Sequence, residues 1–239
     1  MPESVRQTTD LDVPRMKLRL VRLSRTTLAV LLGTSVLAVA SILLTGEDSQ
    51  AETGMTCSYL PGDRSKGGEI PSFDAKKAAR PYTVKLVTNM GTVTFDALTG
   101  SAPCATYSFA YLARKGYFDN SSCNRVTTHG IFVLECGDPV GTEKDDPGYY
   151  YKDQNIAGTT YPAGSIAVSK IQPGRNGSRF FLSYNDPQVP MHSSWTRFGR
   201  VNSGLDVLQA IGRTGTQNGT SDGMPKKPVV IESVHVQEE

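Results

Sequence analysis

A closed antiparallel β-barrel with two helices over its open ends, preceded by one membrane-spanning helix, is the mostly β fold class that this 239-residue sequence predicts. Three observations predict it. Short runs of alternating apolar residues recur between turn signals from Tyr82 onward, two amphipathic segments interrupt them, and an uncharged apolar stretch stands near the N-terminus.

That stretch runs from Thr26 to Gly46. At about 1.5 Å rise per residue it spans roughly 31 Å, the thickness of a bilayer core. Arg15, Lys17, Arg19, Arg22 and Arg25 precede it, which keeps the N-terminus in the cytoplasm and sends the rest of the chain across the membrane. Ala, Val, Leu and Ile occur on every face, unlike the single stripe of a buried core helix. Its length exceeds the roughly 7–15 apolar residues of a cleavable signal, favouring a retained single-pass anchor. Ala38-Val39-Ala40 and Ser49-Gln50-Ala51 offer small residues to a signal peptidase, so release after cleavage is the alternative. The chain thus divides into a basic cytoplasmic N-terminus (1–25), a signal-anchor (26–46), a flexible linker rich in Gly, Ser, Pro, Lys and Asp (47–80), and a folded domain (81–239).

Within the domain, Tyr82, Val84 and Leu86 alternate with polar residues, Asn89-Met90-Gly91 turns, and Val93, Phe95 and Ala97 alternate again: a hairpin. Ser101 is placed to cap a helix with Pro103 in its first turn, with Ala105, Phe109, Leu112 and Ala113 as its apolar stripe and Lys115-Gly116 at its end. Strand-like runs follow at 122–127, 131–136, 164–169, 178–183, 196–201 and 228–236, with a second helix from Gly204 to Arg213. Tyr149-Tyr150-Tyr151 reads as a loop entering a strand.

A net charge of +2 gives no pointer to nucleic acid. Four cysteines, Cys57, Cys104, Cys123 and Cys136, in an oxidising compartment suggest two disulfides, for which three pairings exist. If 122–127 and 131–136 form a hairpin, Cys123 faces Cys136 and Cys57 is left to tie the linker to Cys104. A metal site is the rival reading, but there is no Cys-x-x-Cys and the three His are scattered, so neither metal nor cofactor is expected.

Two runs stand out: Arg125-Val126 with Ile131-Phe132-Val133-Leu134-Glu135-Cys136-Gly137-Asp138, and Asn176-Gly177-Ser178-Arg179-Phe180-Phe181. Phe198-Gly199-Arg200-Val201 follows. In order and spacing these resemble the cyclophilin family of peptidyl-prolyl isomerases, over roughly Tyr82 to Val236. The resemblance implies eight strands, a helix at each mouth of the barrel and a peptide groove on its outer face. It places Arg125 at the family's catalytic arginine and Phe132, Val133 and Phe181 at its proline pocket. Glu135 stands where a glutamine normally orients that arginine, Ser169 and Lys170 where substrate backbone is held, and Arg179 at another groove glutamine. Trp195 falls at the pocket's histidine, with Met191 close by.

The departures from the family are specific. Asn124 replaces the usual histidine before Arg125, and the turn from Thr127 to Ile131 is about two residues longer. The run 187–196 is rebuilt, and Val189 or Pro190 stands near the place of a missing tryptophan. Cyclosporin-type ligands rest on that indole in the family, so weak binding of them is expected. Glu135 has two opposed consequences: a carboxylate can grip Arg125 and fix its aim, and it also neutralises the charge that favours a twisted amide.

The chemistry fits the residues. An X–Pro bond exchanges over tens to hundreds of seconds because rotation breaks amide resonance. Acceleration requires an apolar seat for the proline ring and a donor aimed at the prolyl nitrogen, whose lone pair returns as resonance is lost. Arginine stays charged and offers several donors in a fixed fork. A hydrolase is not supported, since Ser178 lies outside any Gly-x-Ser-x-Gly elbow. The expectation is therefore a monomeric, membrane-tethered isomerase acting on proline-containing polypeptides outside the cytoplasm. A peptide-binding module or chaperone with the same groove but little turnover is the alternative.

Overall fold

A computed structural model describes residues 54–62, 69–139, 147–170 and 172–238. The chain separates into two units, Met1–Ser49 and Gln50–Glu239, and every described residue belongs to the second. The expected anchor at 26–46 lies outside the described residues, among which no helix is long and apolar enough to cross a membrane. In chain order the first elements are β1 (Leu60–Pro61), α1 (Ala75–Ala78), β2 (Tyr82–Thr88), β3 (Gly91–Ala97) and α2 (Pro103–Arg114). Then come β4 (Ser121–Cys123), β5 (Arg125–Thr127), β6 (Val133–Cys136), β7 (Tyr149–Tyr150), β8 (Ser165–Val168) and β9 (Phe180–Ser183). The last are β10 (Arg197–Ser203), α3 (Leu205–Thr214), β11 (Asp222–Gly223) and β12 (Val229–Glu238).

The main sheet is antiparallel, in the order β11-β5-β6-β9-β8-β10-β3-β2-β12-β4. It curls. β12 pairs with β4 at one end, β5 pairs with β6 near the other, and β4 and β5 are one stretch of chain interrupted only at Asn124. Taking 121–127 as one kinked strand and setting aside the two-residue β11, eight strands make the curl among the described residues.

Alternation explains the interior. Val84, Leu86, Val93 and Phe95 point inward from the β2–β3 hairpin and are all but inaccessible. Phe109 of α2 packs against the rings of Phe95, Phe118, Phe180 and Phe198 at 5.0–5.6 Å. Each such side chain contributes about 1.5–3 kcal/mol when buried. The helices sit at opposite ends of the hairpin. Tyr82, opening β2, donates its hydroxyl to the Thr106 carbonyl of α2 at 2.7 Å. At the other end α3 lies so close that a Cβ on Gly204 would come within 2.4 Å of the Thr92 carbonyl oxygen; the backbone there has φ +84°, which suits glycine alone.

Two readings are corrected. Ser101 does not cap α2: its hydroxyl reaches back to the Leu98 carbonyl (3.5 Å), and Ala102 is the capping residue without a side-chain bond. The free helix N–H groups of Cys104 and Ala105 are instead met by the side-chain carbonyl of Gln154, at 2.9 and 3.1 Å. The described parts of the 47–80 tether, 54–62 and 69–80, are folded onto the domain. Cys57 is disulfide-bonded to Cys104, β1 pairs with β7, and the four-residue α1 is capped by Asp74. Tyr59 is buried and meets Tyr149 and Tyr151 edge-on at 5.4 and 5.6 Å, so the tyrosine run at 149–151 is a docking surface for this segment.

Candidate active site

Strand register places the site. Arg125 on β5 is opposite Glu135 on β6, Glu135 is opposite Phe181 on β9, and Phe181 is opposite Ala167 on β8. Residues paired across a sheet share a face, and so do residues two apart along a strand. Val133 and Arg179 therefore join the row.

The middle of this face is apolar. Val133, Tyr161, Ala167 and Phe181 form a buried cluster, ringed by the partly buried Ile131, Met191 and Trp195. Tyr161, Phe181 and Trp195 meet edge-to-face in all three pairings, with centroids 5.6–5.8 Å apart. The Tyr161 hydroxyl donates to the Trp195 carbonyl at 2.7 Å and accepts from the Trp195 N–H at 2.9 Å, clasping that backbone. Burial raises the Tyr161 pKa. Four of the expected pocket residues, Val133, Phe181, Met191 and Trp195, are thus together. Phe132 is not with them. Successive residues face opposite ways, and its ring turns to the main core, edge-on to Tyr184 at 5.8 Å. Ile131 takes its place beside Val133.

At one end of the face the chemistry becomes ionic. Glu135 is buried and shared: one oxygen accepts from Arg125 Nη1 at 3.2 Å, the other pairs with Arg179 Nη2. Burial, with the neighbouring charge of Arg125, lowers the Arg179 pKa. The bidentate grip on Arg125 comes from elsewhere. Asp222 on β11 takes Nε and Nη2, each at 2.8 Å. Two guanidinium groups and two carboxylates thus form a near-neutral chain Asp222–Arg125–Glu135–Arg179. An open recess beside it is lined by Asn124, Arg125, Glu135, Cys136, Asp138 and Arg179.

Lys170 is not exposed on the apolar face but buried in an ion pair. Its ammonium is buried against Asp153, which also accepts from the Gly174 N–H (2.9 Å) and from Asn176 Nδ2 (3.1 Å). Its charge is met by the carboxylate of that loop. Ser169 is buried beside the site, its N–H donating to the Arg179 carbonyl at 2.9 Å. The two rebuilt segments meet: the Gly130 carbonyl accepts from the N–H groups of Gln188 (2.7 Å) and Val189 (3.3 Å).

Sequence reasoning missed Asp222 and Tyr161. Asp222 sits on a two-residue strand, too short to show alternation, and Tyr161 lies in a loop between strands. Only the folded arrangement brings either to the site.

Comparison with known proteins identifies the family. Residues 83–236 match the family described as "Cyclophilin type peptidyl-prolyl cis-trans isomerase/CLD". The chain is 33% identical over 206 residues to a "Probable peptidyl-prolyl cis-trans isomerase B" of Mycobacterium tuberculosis, covering 77% of this chain and 65% of that one. It is 34% identical over 200 residues to the protein so named in Mycobacterium leprae, covering 77% and 67%. The chain thus spans about two-thirds of the length of these relatives. In fold it is similar to a cyclophilin-type isomerase from Cryptosporidium parvum, with a TM-score of 0.58 at 23% identity, covering 66% of this chain and 99% of that one.

Proposed function

This chain belongs to the cyclophilin-type peptidyl-prolyl cis-trans isomerase family, and on that footing we propose that it isomerises X–Pro bonds in polypeptides. One observation carries the reading: a guanidinium held in a fixed place, Arg125, shares a sheet face with a buried aromatic and aliphatic cluster. The proline ring seats on Val133, Phe181, Met191 and Trp195. Ser169 and Arg179 border the flanking peptide. An N–H of Arg125 donates to the prolyl nitrogen as its lone pair returns, a bond available only to the twisted amide, and so lowers the barrier. No nucleophile is required, because no covalent bond is made or broken.

The test is isomerisation of a short X–Pro peptide by the full chain beside Arg125→Ala. Loss of the donor lowers kcat on the order of 10²-fold, the scale for removing one transition-state hydrogen bond, while peptide affinity changes little. A second reading, a peptide-binding module with little turnover, is favoured by the engagement of Arg125 by two carboxylates. It is the correct one if the folded wild-type chain binds the peptide without accelerating its isomerisation.

The proposed setting is the outer side of the cytoplasmic membrane, with 26–46 as a single-pass anchor and exported chains as clients. Supporting it are the apolar stretch with its basic flank and the two disulfides, Cys57–Cys104 and Cys123–Cys136, bonds that persist in oxidising compartments. Slow proline steps limit the folding of newly translocated chains, which gives a tethered isomerase its use. Protease added to intact spheroplasts should digest the domain; full protection would exclude this placement. Cyclosporin-type ligands should bind weakly, since the exposed Val189 stands near where the family's indole would be.

A further inference from the structure

Arg125 is a half-exposed side chain on the next-to-last strand of the sheet, flanked by β11 on one side and β6 on the other. A guanidinium has five N–H donors in one plane. Asp222 accepts from two of them, on Nε and Nη2, and Glu135 accepts from one, on Nη1. The two carboxylates are unequal as holders. Glu135 makes a single 3.2 Å bond and is shared with Arg179. Asp222 makes two 2.8 Å bonds along one edge of the fork, which fixes both the plane and the rotation of the group.

The backbone beneath Asp222 is itself pinned. Asp222 and Gly223 pair with Thr127 and Val126, the Ser221 carbonyl accepts from the Thr128 N–H at 2.8 Å, and the Thr220 hydroxyl donates to the Asp222 carbonyl at 2.7 Å. The carboxylate is therefore presented from a short strand bonded to the very strand that carries Arg125.

We infer that Asp222 is the positioning residue of this site: its carboxylate holds the Arg125 fork so that the remaining N–H groups of Nη1 and Nη2 face a bound prolyl amide. This rests on the isomerase reading above. A transition-state donor must be held within about 0.5 Å and 10–20° of its productive place, and Glu135 alone does not fix the guanidinium plane. The role the family gives to a single orienting residue on β6 is here divided, with the larger part on β11.

The test compares the full chain with Asp222→Asn and Asp222→Glu in isomerisation of a short X–Pro peptide, with kcat and KM separated by NMR exchange at several peptide concentrations. Asp222→Asn keeps the shape and backbone pairing but loses the charged, two-acceptor grip; kcat falls about tenfold and KM stays within twofold. Asp222→Glu recovers most of kcat. A structural role would not show that split or that rescue. An Asp222→Asn chain with wild-type or raised kcat, or with a loss confined to KM, overturns the inference while leaving the isomerase reading intact. A wild-type chain without activity overturns both.

Discussion

Cys123 and Cys136 are joined across the two strands that carry the ionic end of the site, with Cα atoms 4.0 Å apart. Cys123 lies two residues before Arg125, and Cys136 directly follows Glu135. The bond therefore ties β4 to β6 at the point where their continuations must align a guanidinium with a carboxylate. Replacing both cysteines by Ser should lower stability by about 3 kcal/mol, the expectation for closing a loop of this size. It should also lower isomerisation several-fold by letting the stretch that carries Arg125 shift against β6, which carries Val133 of the apolar cluster. Urea unfolding and the peptide assay, run on the same protein, check the two effects. Unchanged activity in a destabilised chain would show that backbone pairing alone sets the register.

Glu135 and Arg179 are both largely buried and paired, so neither can be removed without leaving a charge behind. Glu135→Gln and Arg179→Gln should each cost up to about 3 kcal/mol, the scale for breaking a buried ion pair, with Arg179→Gln the milder because Arg125 still bonds Glu135. The double variant should cost much less than their sum, because both charges go together. Chemical denaturation of the four chains measures the coupling; additive losses would sink the pairing. Activity should respond differently. Glu135→Gln leaves Arg125 in the grip of Asp222 but lifts one neutralising charge, so kcat should rise, by up to about tenfold for 1.4 kcal/mol.

How much of this was readable before folding differs by element. The β2–β3 hairpin was legible because its inward residues follow a strict period of two, and the Cys123–Cys136 bond followed from expecting a hairpin there. Motif spacing grouped Val133, Phe181 and Trp195, and the fold brings the three side chains into one cluster. Lys170 was misread because its partner, Asp153, lies seventeen residues earlier in a loop. Phe132 was misread because motif spacing was followed where alternation argued the other way. Asp222 carries no local signal: 97 residues separate it from Arg125, and only pairing of β11 with β5 joins them.

Tyr161 holds Trp195 by two hydrogen bonds to the same peptide segment. Tyr161→Phe keeps the ring in the aromatic cluster and removes only the hydroxyl. Stability should drop by about 1–3 kcal/mol, since the Trp195 N–H and carbonyl lose their partner. The wall of the pocket should loosen, raising KM for a proline peptide a few-fold with kcat nearly constant. A shift in kcat alone would show that Trp195 is not a pocket wall.

Alkaline pH should unfold the domain cooperatively. Burial raises the pKa values of Tyr59, Tyr82 and Tyr149, and pushes that of Tyr184 up to about 12. A group whose folded pKa is raised favours the folded state while protonated. That stability is complete below the unfolded tyrosine pKa, about 10, and is lost as pH climbs from there toward the folded values. Absorbance at 295 nm should show the buried tyrosines titrating only with the loss of near-UV dichroism. Smooth titration of all ten tyrosines near pH 10 in a still-folded chain would contradict their burial.

The folded domain begins before residue 81, and the energetic reason can be tested by shortening the chain. Tyr59 is buried among Tyr107, Tyr149 and Tyr151, and its hydroxyl donates to the Cys104 carbonyl at 2.8 Å. Burial of such a ring contributes about 2 kcal/mol and the hydrogen bond about 1 kcal/mol. A chain starting at residue 81 loses both, leaves Cys104 without its partner and uncovers the 149–151 run. Relative to a chain starting at residue 54, Tm should fall by roughly 6–12 °C, at about 2–4 °C per kcal/mol for a domain of this size. Isomerisation at low temperature should be retained, because the segment touches α2 and β7 rather than the strands that carry Arg125 and Phe181. Equal melting temperatures would return residues 54–80 to the role of a tether, and lost activity would mean that this segment supports the site from behind.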